Sequence, residues 1–146
     1  MNDYQTLMAY ETSDLTQPRP APRRRILLVD DDISMRELNT EALSRAGYEV
    51  DGAADGVEGW AALQARQYDL LITDNSMPKV TGVELVRLLR SKNTNLPVIM
   101  ASGATPTEEL KRHPQLAINV ILLKPYTTGE FLGTVEQVLR TSPGSC

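Results

Sequence analysis

The chain has 146 residues, with 19 acidic against 15 basic side chains and a formal charge of -4. That is enough for one domain with a substantial core, and the balance argues against a generic nucleic-acid binder. A single cysteine, Cys146, excludes an internal disulfide or a cysteine metal site. No stretch has the basic start of a secretory signal or the roughly 18 apolar residues that cross a bilayer, so a cytoplasmic chain is expected.

Residues 1–24 show almost no apolar period, and Pro18, Pro20 and Pro22 alternate with Arg19, Arg23 and Arg24. This predicts a disordered Pro/Arg-rich leader. Its basic cluster reads as solvated, with contact to an anionic surface the weaker alternative. From Arg25 onward, short apolar runs alternate with segments at helical spacing, the pattern of buried parallel strands and amphipathic helices. The runs are 26–29, 48–53, 70–73, 98–101 and 120–123. The second is the least apolar, as suits an edge.

Met35, Leu38, Ala42 and Ala46 predict the first helix stripe, ended by Gly47 in a left-handed turn. Val57, Trp60 and Leu63, then Val83, Val86 and Leu89, then Phe131, Val135 and Val138 predict three more, with Trp60 and Phe131 as core aromatics. The fourth helix is confined to 107–113 by Pro106 and Pro114, about two turns. Right-handed crossovers then give an α/β, flavodoxin-like doubly wound (βα)5 fold, with a five-stranded parallel sheet in order 2-1-3-4-5. A flexible tail is expected at 142–146.

In such a sheet, ligands gather at the carboxyl ends of the strands, near the switch between strands one and three. The residues there are Asp30, Asp31 and Asp32 after strand one, Asp74 after strand three, Ser102 after strand four, and Lys124 with Pro125 after strand five. Carboxylates converging at about 4 Å repel by several kcal/mol at an effective dielectric near 20. A cation must compensate them, and an all-oxygen site suits Mg²⁺ (or Mn²⁺). The cation and Lys124 would let Asp74 attack a phosphoryl group, with Ser102 bonding a phosphoryl oxygen and Gly103 leaving room. Asp30 to Asp32 could instead only cap the first helix. His113, in a polar segment beside Pro114, reads as a surface residue.

With these residues in place, the sequence resembles the receiver domain of bacterial two-component response regulators over 25–141, as a stand-alone, CheY-like chain. The matching motifs are Val29-Asp30-Asp31, Asp74-Asn75-Ser76-Met77-Pro78 with Gly82, Ala101-Ser102-Gly103 and Leu123-Lys124-Pro125. The resemblance implies that Asp74 is the phosphorylated aspartate and that it takes its phosphoryl group from a sensor histidine kinase or histidine phosphotransfer protein. Asp31 and the Ser76 backbone carbonyl would be metal ligands with Asp74, Asp30 would act through metal-bound water, and Asp32 would be an extra acid or helix cap. Ser102 would be the switch hydroxyl and Lys124 the phosphate-binding lysine, followed by a cis Lys124-Pro125 bond. Such a protein is not an enzyme on other substrates; it catalyses only its own phosphorylation and dephosphorylation.

The sequence departs from the family at Ile121, where an aromatic switch residue is usual, and around Ala117, Ile118 and Asn119, where a Gly-Ala turn is usual. With the short fourth helix, these changes fall on the face the family commonly uses for dimerisation or output. Only 141–146 follow Arg140, so no DNA-binding output domain is expected; the protein would signal to an unknown output protein, as a monomer or weak dimer. Two other readings are an interaction module that no longer uses phosphorylation and a haloacid-dehalogenase-type phosphatase suggested by Asp30-x-Asp32. The phosphatase needs an acidic metal pair after Lys124, where only Glu130 and Glu136 stand.

Overall fold

The computed structural model describes residues 23–92 and 94–141. The expected leader, apart from Arg23 and Arg24, and the expected tail at 142–146 lie outside the described residues. The elements are β1 (Arg25–Val29), α1 (Ile33–Arg45), β2 (Glu49–Ala53), α2 (Gly56–Ala65), β3 (Leu70–Asp74), α3 (Gly82–Arg90), β4 (Val98–Ser102), α4 (Thr107–Arg112), a 3-10 turn (Pro114–Leu116), β5 (Val120–Leu123) and α5 (Thr128–Thr141). All strand pairs are parallel and the order is β2-β1-β3-β4-β5, as the alternating pattern predicts.

Every residue of β3 and β4 is buried, which is why these strands read as unbroken apolar runs. Alternate side chains leave a strand on opposite faces, and the core divides accordingly. Leu27, Val29, Leu71 and Met100 pack with Val83, Val86 and Leu89 on one side. Ile26, Leu28, Ile72 and Ile99 pack with Leu43, Phe131, Val135 and Val138 on the other. Each fully buried side chain of this kind contributes about 2 kcal/mol.

The helix ends are fixed locally. Asp32 Oδ1 accepts the Met35 amide at 3.1 Å, Asp55 Oδ1 accepts Glu58 N at 2.9 Å, and Thr81 and Glu84 form a reciprocal capping box on α3. Ala46 caps the end of α1, and Gly47 then takes a φ of 101°, the left-handed turn its position predicts. The fourth helix has only six residues, none buried, and no side-chain cap. Among the described residues no helix is long and apolar enough to cross a membrane.

Two predicted stripes need correction. On α1, Leu38 is 52% exposed and Ala46 is exposed, while Asn39 and Leu43 are buried; the true face runs through Met35, Asn39, Ala42 and Leu43 and includes a polar residue. On α2, Val57 is exposed and the buried positions are Gly56 and Gly59, with Trp60 half-buried against the core. A Cβ built on Gly59 would lie 2.9 Å from Val29 Cγ2, so the helix reaches the sheet by lacking a side chain there. The last strand is also less enclosed than its composition suggests: β5 is an edge, its first three residues are half-buried and Leu123 is exposed. His113 is half-buried, with Nδ1 3.5 Å from Gln115 Nε2.

Candidate functional site

The carboxyl ends of β1, β3, β4 and β5 bring the predicted residues to one end of the sheet. Asp74 is the last residue of β3, and Asp30 follows β1 with its amide on the Ala53 carbonyl at 3.1 Å. Both are 4% exposed, whereas Asp31 is open to solvent. One carboxylate oxygen from each of Asp30, Asp31 and Asp74 lies within 4.8 Å of the others. Asp32 lies outside this cluster and caps α1, while its amide donates to Asp30 Oδ1 at 2.9 Å. The triple-aspartate turn thus divides its work: two acids in the cluster, and one holding the helix.

Lys124 Nζ stands 2.5 Å from Asp74 Oδ1 with its side chain 36% exposed. That oxygen is sealed from solvent and has the ion pair but no well-aligned hydrogen bond. Burial raises the Asp30 carboxyl above its ordinary value against the pull of the Asp32 amide, and the charges of Asp74 and Asp31 add to the rise while Lys124 opposes it. For Lys124, burial lowers the ammonium, but the contact with Asp74 and the charges of Asp74 and Asp30 outweigh it and leave the value raised. The donor set is hard and all-oxygen, with more negative charge than one lysine neutralises, and so fits a small divalent cation.

Ser102 is buried at the end of β4, but its hydroxyl is engaged locally, donating to the Ala104 carbonyl at 2.6 Å. Ser76 is exposed in the loop after Asp74, and among the described residues its carbonyl accepts no hydrogen bond. The Lys124-Pro125 bond is cis. Ile121 is half-buried and packs against the α3 side of the core. Glu130 and Glu136 point away from phosphatase chemistry: Glu130 Oε1 accepts Thr127 N at 2.8 Å, and Glu136 pairs with Arg140 at 3.9 Å on α5.

Several contacts around the site had no sequence signal. Arg36 Nη1 donates to the Asp30 carbonyl at 2.7 Å, and Asn39 Nδ2 donates to the Tyr126 hydroxyl at 3.0 Å. Tyr126 also stacks on Phe131, with ring centroids 5.6 Å apart. Gly82 passes so close to the acidic strand that a Cβ there would lie 2.5 Å from the Asp74 carbonyl oxygen. The motif places Gly82 four residues after Pro78, but no local pattern records the close approach that requires a glycine there.

Residues 26–136 match the family described as the response regulator receiver domain. The chain is 34% identical over 116 residues to the probable transcriptional regulatory protein SilR of Salmonella typhimurium, a match that covers 80% of this chain and 51% of that protein. The chain therefore spans about half the length of this curated relative. Among solved structures it is similar to the chemotaxis response regulator CheY4 of Vibrio cholerae, with 34% identity, a TM-score of 0.73, and coverage of 80% of this chain and 99% of that one. It is also similar to the response regulator TrrA of Thermotoga maritima in complex with Mg²⁺-BeF, with 29% identity, a TM-score of 0.70, and coverage of 79% and 98%. With the motifs, the 2-1-3-4-5 sheet and these relatives in agreement, the chain belongs to the response regulator receiver domain family of two-component signalling proteins.

Proposed function

We propose that this receiver domain accepts a phosphoryl group on Asp74 from a sensor histidine kinase or histidine phosphotransfer protein, and that it works in the cytoplasm by binding an output protein in a phosphorylation-dependent way. The observation that carries the reading is the buried Asp74 carboxylate, paired with Lys124 and clustered with Asp30 and Asp31. Asp31, Asp74 and the Ser76 carbonyl would hold Mg²⁺ or Mn²⁺ directly, and Asp30 through water. The ion would screen the approach of two anions and stabilise charge on the transferring oxygens. The Mg²⁺-BeF complex of TrrA supports that choice by likeness.

An Asp74 oxygen bonds to phosphorus as the bond from phosphorus to the donor's imidazole nitrogen breaks, and the electron pair returns to that nitrogen. Lys124 then exchanges its contact with the carboxylate for one with a phosphoryl oxygen. Ser102 must give up the Ala104 carbonyl to donate to another. This couples the phosphoryl group to the loop after β4, and the chain acts only on its own aspartate.

The second reading, an interaction module that no longer uses phosphorylation, is favoured by one observation: a half-buried aliphatic residue, Ile121, packs against the core where the family usually has an aromatic switch residue. A small acyl-phosphate donor with Mg²⁺, followed by intact-mass measurement, separates the two. A gain of one phosphoryl group that disappears in Asp74→Asn supports phosphoacceptance. No gain, with Mg²⁺ demonstrably bound, would establish the interaction module instead.

A further inference from the structure

Two polar residues of α1 reach the site from one side. Arg36 and Asn39 are three apart and so share a face of the helix. Arg36 bonds the Asp30 carbonyl at 2.7 Å, on the acidic side of the cluster. Asn39, 3% exposed, bonds the hydroxyl of Tyr126, two residues after Lys124, at 3.0 Å. The first bond closes over six residues and the second over 87, so one helical turn ties together the two segments that face each other across Asp74.

Both residues pack against defined neighbours. The Arg36 stem runs beside Gly52 on β2, where a Cβ would make ordinary van der Waals contact at 3.4 Å from Arg36 Cδ. The Tyr126 ring is held by stacking on Phe131, so its hydroxyl meets Asn39 without a search over orientations. Neither Arg36 nor Asn39 belongs to the acidic cluster. Asn39 is a buried polar residue beside the apolar Met35, Ala42 and Leu43, and its amide donates to the Tyr126 hydroxyl.

We propose that Arg36 and Asn39 are positioning residues, through which α1 separately sets the placement of the metal-side turn at Asp30 and Asp31 and of the Lys124 segment. This rests on the phosphoacceptor reading above. The two halves are separable because the bonds end on different segments: loss of Arg36 loosens the acidic turn, and loss of the Tyr126 hydroxyl loosens the lysine turn.

The test measures two affinities and one amide. Mg²⁺ binding is measured alone by calorimetry, and beryllofluoride binding at saturating Mg²⁺, in the full chain and in Arg36→Met, Arg36→Lys and Tyr126→Phe. Exchange of the Asp32 amide, which donates to Asp30 Oδ1, reports the acidic turn without any metal. Arg36→Met should weaken Mg²⁺ about tenfold, the lower end of effects for groups that orient metal ligands, and speed Asp32 exchange. Arg36→Lys should recover most of both, because an ammonium still donates to one carbonyl. Tyr126→Phe should leave Mg²⁺ affinity and Asp32 exchange unchanged while weakening beryllofluoride severalfold. Unchanged Mg²⁺ affinity and exchange in Arg36→Met, or equal losses of both affinities in every variant, would overturn the proposal. If the unaltered chain bound neither probe, the phosphoacceptor reading would fall, and Asp32 exchange would still decide whether Arg36 holds the turn.

Discussion

Replacing Lys124 by Met keeps most of the apolar stem and removes the charge opposite the buried Asp74. Opposite unit charges 2.5 Å apart attract by about 7 kcal/mol at an effective dielectric near 20. Removing one member of a fully buried pair typically costs about 3 to 5 kcal/mol, because the other charge is left desolvated. Lys124 keeps 36% of its side chain in solvent, so water screens the pair and replaces part of what is lost; about 2 kcal/mol is the expected cost. At this domain size that lowers the melting temperature by about 8 °C.

Calorimetric melting with a chelator present measures the loss without a competing cation. The double variant Asp74→Asn, Lys124→Met should melt above Lys124→Met, since the amide removes both the stranded charge and its repulsion with Asp30. The pH dependence has a definite sign. Lys124 has a raised value in the folded chain, above 10.5, so its contribution is complete below about pH 10.5 and is lost as pH rises through the folded value. The gap between the chain and Lys124→Met should therefore stay constant from neutrality to about pH 10 and narrow above it. A Lys124→Met protein melting within about 2 °C of the unaltered chain would refute the argument that this pair compensates a buried charge.

Tyr68 donates to Asp51 Oδ2 at 2.7 Å, and burial, followed by that bond and the Asp51 charge, pushes its phenol up to about 12. A raised acid stabilises the fold below its unfolded value, so this contribution should be present below about pH 10 and lost between pH 10 and 12; phenolate absorbance should show its highest transition vanish in Tyr68→Phe. On α1, Leu43→Ala should cost about 3 kcal/mol in urea unfolding, while Leu38→Ala, at a position 52% exposed, should stay within about 0.5 kcal/mol.

That contrast between Leu43 and Leu38 shows where sequence reading reached its limit. The strands were legible because a sheet covered on both faces turns each strand into an apolar run, and their ends gave Asp30, Asp31, Asp74, Ser102 and Lys124. Helix faces were less legible where burial is not carried by apolar side chains. Asn39 is buried because a tyrosine 87 residues away satisfies it, and Gly56 and Gly59 are buried because their helix lies close to Val80 and Val29. No local period records either fact. Arg36 was invisible for a related reason: its partner is a backbone carbonyl, which every residue possesses.

Arg90 is a second cation spent on backbone. Its guanidinium donates to the carbonyls of Leu116 and Ala117 before β5 and of Thr94 and Leu96 before β4, at 2.7 to 3.2 Å. Asn119 adds a pair of bonds to Val98, each 2.9 Å long. The entrances of β4 and β5 are thus riveted together at the end of the sheet opposite Ser102 and Lys124. One side chain braces the roots of both strands, so Arg90→Met should speed amide exchange at the starts of β4 and β5 together, and exchange unchanged at both would show that the brace is not needed.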